Sequence, residues 1–151
     1  MDPLLLAALA LVGAASAWRL FRWYRRPRLR LSPVPRVAGD AWVLDVRNEG
    51  AATARACHGT LVRIDRLVDG TKTRLVADPD LFPLTWEGNR PRRDLAPGEA
   101  GVLRVARRNR VPPGRYGLVV AVIDGEEHRA AFEIEIGPDD DRQPAAREKA
   151  Q

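Results

Sequence analysis

Hydrophobic positions fall into two patterns along the 151-residue chain. The first is a solid apolar block: residues Pro3 to Trp18 read PLLLAALALVGAASAW, without a single charge. A helix built from it is apolar all round, with no polar face to turn toward water. At 1.5 Å per residue the block spans about 24 Å. Extending it through Leu20, Phe21, Trp23 and Tyr24 brings Leu4–Tyr24 to about 31 Å, close to a bilayer's hydrocarbon thickness. The second pattern runs from about residue 28 to 136. There, short period-two stretches are separated by Gly, Pro, Asn and Asp.

That alternation predicts strands. In Ala41–Arg47, residues Trp42, Leu44 and Val46 share one face and Asp45 and Arg47 the other, before a turn at Asn48-Glu49-Gly50. Ala54–Val68 reads as one long strand whose alternation blurs at Leu61-Val62, the mark of a bulge. Asp69-Gly70 closes a hairpin, with Thr73–Val76 returning. Leu81–Trp86 is apolar but broken by Pro83, which suits an edge or loop strand. Val102–Ala106 follows a Pro97-Gly98 turn. Tyr116–Ile123 is apolar on both faces and predicts a central strand. Asp124-Gly125 makes another hairpin, and His128–Ile136 alternates cleanly, with Phe132, Ile134 and Ile136 inward and Glu133 and Glu135 outward. About seven strands in roughly 109 residues point to an antiparallel β-sandwich, with a barrel as the alternative. The expected division is 1–27 as a membrane anchor with a basic flank, 28–137 as the β-domain, and 138–151 as a disordered polar tail.

Charge changes the picture at the N-terminus. Residues 1–36 carry seven arginines against Asp2, a net +6; the other 115 residues are net −1. The overall charge of +5 therefore resides in one segment, and the domain itself is nearly neutral, unlike a nucleic-acid-binding surface. Trp18, Trp23 and Tyr24 fall where an interfacial aromatic belt belongs, interleaved with Arg19, Arg22, Arg25, Arg26 and Arg28. These features predict one transmembrane helix rather than a cleaved signal peptide, whose n-region would be basic, or a buried core helix. With the positive charge on the C-terminal side, the positive-inside rule places the N-terminus outside and the domain in the cytoplasm, at the cytoplasmic (inner) membrane. The alternative is an export anchor with the domain outside.

Three motifs stand out: Val46-Arg47-Asn48-Glu49-Gly50 with Ala52 and Ala54, the turn Leu95-Ala96-Pro97-Gly98-Glu99, and Pro113-Gly114-Arg115-Tyr116 leading into Leu118, Val120 and Val122. They resemble motifs of bacterial Ig-like β-sandwich domains of the CARDB and related types. The resemblance covers about 100 residues and implies an Ig-like fold. It also implies that Tyr116 acts as a corner tyrosine, its hydroxyl bonding back to the backbone. It implies little about function, because such motifs are structural.

The inventory of reactive groups is thin. Cys57 and His58 are adjacent, but successive strand residues point to opposite faces, so they would not readily share a metal. His128 lies far along the chain. Ser16 and Ser32, the two serines, lie in or beside the apolar segment without a nucleophile motif. Acidic pairs fall in turns and the tail, where solvation accounts for them. No enzyme, cofactor, metal, nucleic acid or small-molecule substrate is expected. Arg90, Arg92 and Arg93 are the candidate contact with an anionic surface, the alternative being a solvated face balanced by Glu87, Asp94 and Glu99. Leu81–Trp86 is either a recognition loop or, by the commoner outcome, a Trp packed across the sandwich end. The expectation is thus a membrane-anchored, non-catalytic binding or scaffold domain that engages the bilayer and a protein partner. An envelope-binding or adhesion domain is the alternative.

Overall fold

The structure, a computed structural model, describes residues 3–138, with side chains from residue 7 onward. The expected disordered tail lies outside the described residues, apart from Pro138.

One helix precedes ten strands: α1 (Pro3–Tyr24), β1 (Leu29–Leu31), β2 (Arg36–Ala38), β3 (Ala41–Asn48), β4 (Ala54–Val68), β5 (Thr71–Arg74), β6 (Thr85–Trp86), β7 (Arg93–Leu95), β8 (Ala100–Arg107), β9 (Gly114–Ile123) and β10 (Glu127–Ile136). The strands form two antiparallel sheets, not a closed barrel. One runs β1-β3-β8-β6, with β2 also on β3. The other runs β10-β9-β4-β5, with β7 also on β4. The count exceeds the expected seven because β1, β2, β6 and β7 have only two or three residues each. Segments that short carry no readable alternation.

The transmembrane expectation does not hold. The segment is helical, but no helix among the described residues is long and apolar enough to cross a membrane. The uncharged stretch ends at Trp18. Arg19 and Arg22 fall inside the last two turns, and Gly13, Ser16 and the alanines dilute the rest. Sixteen uncharged residues reach about 24 Å, short of the ~30 Å core. The positive-inside argument therefore has no span to orient.

The sandwich core follows the period-two reading. Leu44 and Val46 from β3, Leu103 and Val105 from β8, Leu118, Val120 and Val122 from β9, and Ile134 and Ile136 from β10 are all buried. Each such side chain removed from water contributes about 1.5–3 kcal/mol. Two bulges adjust the pattern. In β4 the register against β9 shifts between Leu61 and Arg63, so Val62 is the extra residue and is left exposed. Between β3 and β8, Trp42 faces Ala106 and Val43 faces Arg104, which leaves Val105 extra. This second bulge was not legible beforehand. It buries Val43 while Trp42, expected inward, is only half-buried. The β4–β5 hairpin turns at Asp69-Gly70, both at positive φ (49° and 78°), so the return strand begins at Thr71, two residues before the expected start.

Three polar and aromatic contacts lock the ends. The Tyr116 hydroxyl donates to the Pro112 carbonyl at 2.8 Å, as the corner reading implied. Trp86 is fully buried, and its indole N–H donates to the Cys57 carbonyl at 2.7 Å, tying β6 in one sheet to β4 in the other. Phe82 is also buried, so the 81–86 segment is core and not a recognition loop. Asn48, at the end of β3, is fully buried and makes four side-chain hydrogen bonds. Nδ2 donates to the carbonyls of Ala52 (2.7 Å) and Leu95 (2.9 Å), and Oδ1 accepts from the amides of Arg28 (3.1 Å) and Gly50 (2.9 Å). One side chain thereby holds the β3–β4 turn, the end of β7 and the strand entry after α1.

Candidate functional site

Helix α1 projects from the sandwich with its apolar side chains uncovered. Leu9, Leu11, Val12, Trp18, Leu20 and Phe21 are all exposed, Leu11 by 72 % and Trp18 by 63 %. A helix uncharged from Pro3 to Trp18 and exposed to water presents more contiguous apolar surface than a monomer ordinarily tolerates. Its C-terminal end is different in character. The Trp18 and Phe21 rings stack with centroids 6.4 Å apart. The Arg25 guanidinium lies 4.4 Å from the Phe21 centroid, and that of Arg28 lies 4.1 Å from the centre of Trp23. Arginines over aromatic faces keep their charge while covering apolar ring surface. The structure thus brings Trp18, Arg22, Trp23, Tyr24, Arg25, Arg26 and Arg28, all expected at an interface, to the exit of α1. Arg19 lies on the same last turns of the helix.

The exit is fastened to the β-domain. Arg25 N–H still donates to the Phe21 carbonyl (3.0 Å), continuing the helix by one bond. The chain then passes over Gly50, where a Cβ would overlap the backbone of Arg26, Pro27 and Arg28. The Glu49 amide donates to the Arg28 carbonyl at 2.8 Å. Arg26 pairs with Glu126 at 3.2 Å, reaching the β9–β10 turn. Between helix end and turn lies an open cleft of about 590 Å³, lined by Trp18, Phe21, Arg22, Arg25, Pro27 and Asp124 among others. Sequence reasoning found the basic-aromatic cluster but missed this cleft, since nothing local signals that residues 124–126 fold back to the helix.

The second expected surface is mixed in charge, as the balancing acids in its sequence implied. Arg90, Arg92 and Arg93 share a cleft with Glu87, Asp94 and Glu99. Arg93 is committed to Glu99 at 2.8 Å. The Ala96 amide and then Arg93 hold the Glu99 carboxyl below the usual carboxylate range. Arg90 and Arg92 are exposed and carry no ion pair among the described residues.

Cys57 is fully buried, and burial, followed by the Asp124 charge, pushes its thiol up to about 11. A thiol at that value is protonated at neutral pH and is a poor nucleophile. His58 neighbours it but pairs across to Ile123 in the β4–β9 ladder. His128 lies 3.3 Å from the Asp124 carboxylate, within the β9–β10 hairpin, and Asp124 is the same charge that acts on the Cys57 thiol. Among the described residues no group of three or more His, Cys, Asp and Glu side chains is arranged to hold a metal ion. Compared with known proteins, the chain matches no family model and no curated protein.

Proposed function

We propose that the protein is a non-catalytic binding or scaffold domain held at an anionic lipid surface by α1. The observation that carries this reading is the helix itself, uncharged from Pro3 to Trp18 and uncovered from Ala7 to Tyr24, with Arg19, Arg22, Arg25 and Arg26 gathered at one end among Trp18, Trp23 and Tyr24. Aromatic rings and guanidinium groups together match the headgroup region, and each basic residue near an anionic surface contributes about 1 kcal/mol. The cytoplasmic leaflet is the anionic surface this reading assigns. The sandwich, fastened to the helix exit through Asn48, Gly50 and Glu126, is then presented close to that surface. The Ig-like kinship of its turn motifs suits a module that displays edges and end loops to a protein partner.

Vesicle flotation of the full chain tests the reading. Four arginines at about 1 kcal/mol each predict at least a hundredfold preference for phosphatidylglycerol vesicles over phosphatidylcholine vesicles, falling as salt rises. Changing Arg19, Arg22, Arg25 and Arg26 together to Glu should abolish that preference. Equal binding to neutral and anionic vesicles, or no binding to either, would overturn the proposal.

A further inference from the structure

Free sheet edges are distributed unevenly in this sandwich. β1, β2, β6 and β7 have two or three residues each, and β5 has four, fully exposed and carrying Lys72 and Arg74. Short or basic edges are how β-proteins avoid pairing with one another. β10 is the exception. It runs ten residues in unbroken register against β9, and its other side has no ladder partner among the described residues. It contains no Pro, Gly, Lys or bulge. β1, at the matching edge of the other sheet, approaches it without joining its ladder.

We infer that β10 is a homodimer seam, pairing antiparallel with β10 of a second copy about a two-fold axis at Phe132. Geometry and charge select this register. In a two-fold strand pair, residues i and j face each other with i + j constant. That sum must be even if Phe132, Ile134 and Ile136 are to stay on the core side in both copies. Among the even registers, centring on Ala131 sets Glu127 against Glu135. Centring on Ala130 sets Glu127 against Glu133. Centring on Glu133 sets that residue against itself. Centring on Phe132 sets Arg129 against Glu135 twice, Ala131 against Glu133, and no like charges opposite each other.

The existing pairs leave Glu135 available for this contact. Arg129 is held by Glu127, and Glu133 by Arg115 at 3.0 Å, whereas Glu135 is exposed with no ion pair among the described residues. The dimer would extend the surface as one ladder of alternating charge. Because Glu126 ties the start of β10 to the exit of α1, the two helices leave from opposite ends of the seam, about 33 Å apart. Both reach one lipid surface only if β10 lies along it. The inference does not rest on the lipid reading.

The test is sedimentation of the full chain in a non-ionic detergent that covers α1. A dimer is expected. Arg129→Glu and Glu135→Arg each turn two attractive pairs into two repulsive ones and should weaken the dimer about tenfold or more. The double variant restores both pairs and should dimerise again, as should an equimolar mixture of the two single variants. Unchanged Trp86 emission would show that each variant is folded. A monomer at all concentrations would overturn the seam. So would a dimer indifferent to both single reversals, or singles that weaken with no recovery in the double variant.

Discussion

Replacing Asn48 by Ala should cost this domain a large part of its stability. The side chain is fully buried, and all four of its hydrogen bonds go to backbone groups. Three of those bonds are partly reached by solvent, so water can replace Asn48 there at a net loss of about 1 kcal/mol each. The fourth, to the Leu95 carbonyl, is buried, and leaving it unmade costs about 1–3 kcal/mol. The expected loss is therefore about 4–6 kcal/mol, against a total of about 5–15 kcal/mol for a domain of this kind. Urea unfolding followed by the emission of the buried Trp86 measures it. With a slope of about 1.5 kcal/mol per molar, the midpoint should fall by about 3–4 M.

Asn48→Asp sharpens the test. It keeps the acceptor facing Arg28 and Gly50 but sets a carboxylate oxygen against the carbonyls of Ala52 and Leu95. Such a carboxyl is protonated more readily folded than unfolded, so its folded pKa lies above the unfolded value. The folded state then binds more protons, and the variant should gain stability relative to wild type as pH falls toward 4. A loss below about 1 kcal/mol for Asn48→Ala, or an Asp variant with no such relative gain in acid, would refute the role assigned to Asn48.

Other expectations follow from the same structure. Gly101→Val should destabilise by about 1–3 kcal/mol and red-shift the Trp86 emission, because a Cβ there stands 2.9 Å from the Trp86 ring and 3.1 Å from Leu95. Asp45 is hydrogen-bonded to Arg36 by two contacts of 2.9 Å, which hold its carboxyl below the ordinary range. Its contribution is thus present above about pH 3.9 and lost as pH falls through the lower folded value, and Asp45→Asn should remove that part of the acid transition. The effect should be small, since solvent screens this exposed pair. Cys57 should resist iodoacetamide in the native chain at pH 7.5 and react on unfolding, because its thiol is buried and protonated. Rapid native alkylation, measured by mass spectrometry, would contradict that placement.

Period-two alternation carried most of the sheet information. It identified β3, the whole of β4 with its Val62 bulge and the inward face of β10, because a strand half in contact with a core must alternate, whereas β9 shows as a run apolar on both faces and β8 follows the Pro97-Gly98 turn. Turn chemistry did the same for Asp69-Gly70, whose positive φ values a hairpin requires. The sequence also determined that residues 3–24 are helical and apolar, and that arginine and aromatic side chains crowd the helix end.

Other features depended on the tertiary structure. The shortfall of α1 as a span belongs instead to the sequence itself, where Arg19 and Arg22 end the uncharged run at Trp18, although the length of Leu4–Tyr24 suggested a span. The fate of Trp86 was decided by which strand lies opposite: β6 and β4 are far apart in sequence, and their meeting converts an apolar loop into core with a bonded indole. The Val105 bulge arises from the fit of β8 to β3, which neither strand's own pattern reveals. The cleft at residues 124–126 and the free edge of β10 are likewise facts of sheet order. Alternation along a chain reports which face of a strand is buried, but hydrogen-bonding to neighbours is the same for every residue type, so the side of the sheet left open is written only in the fold.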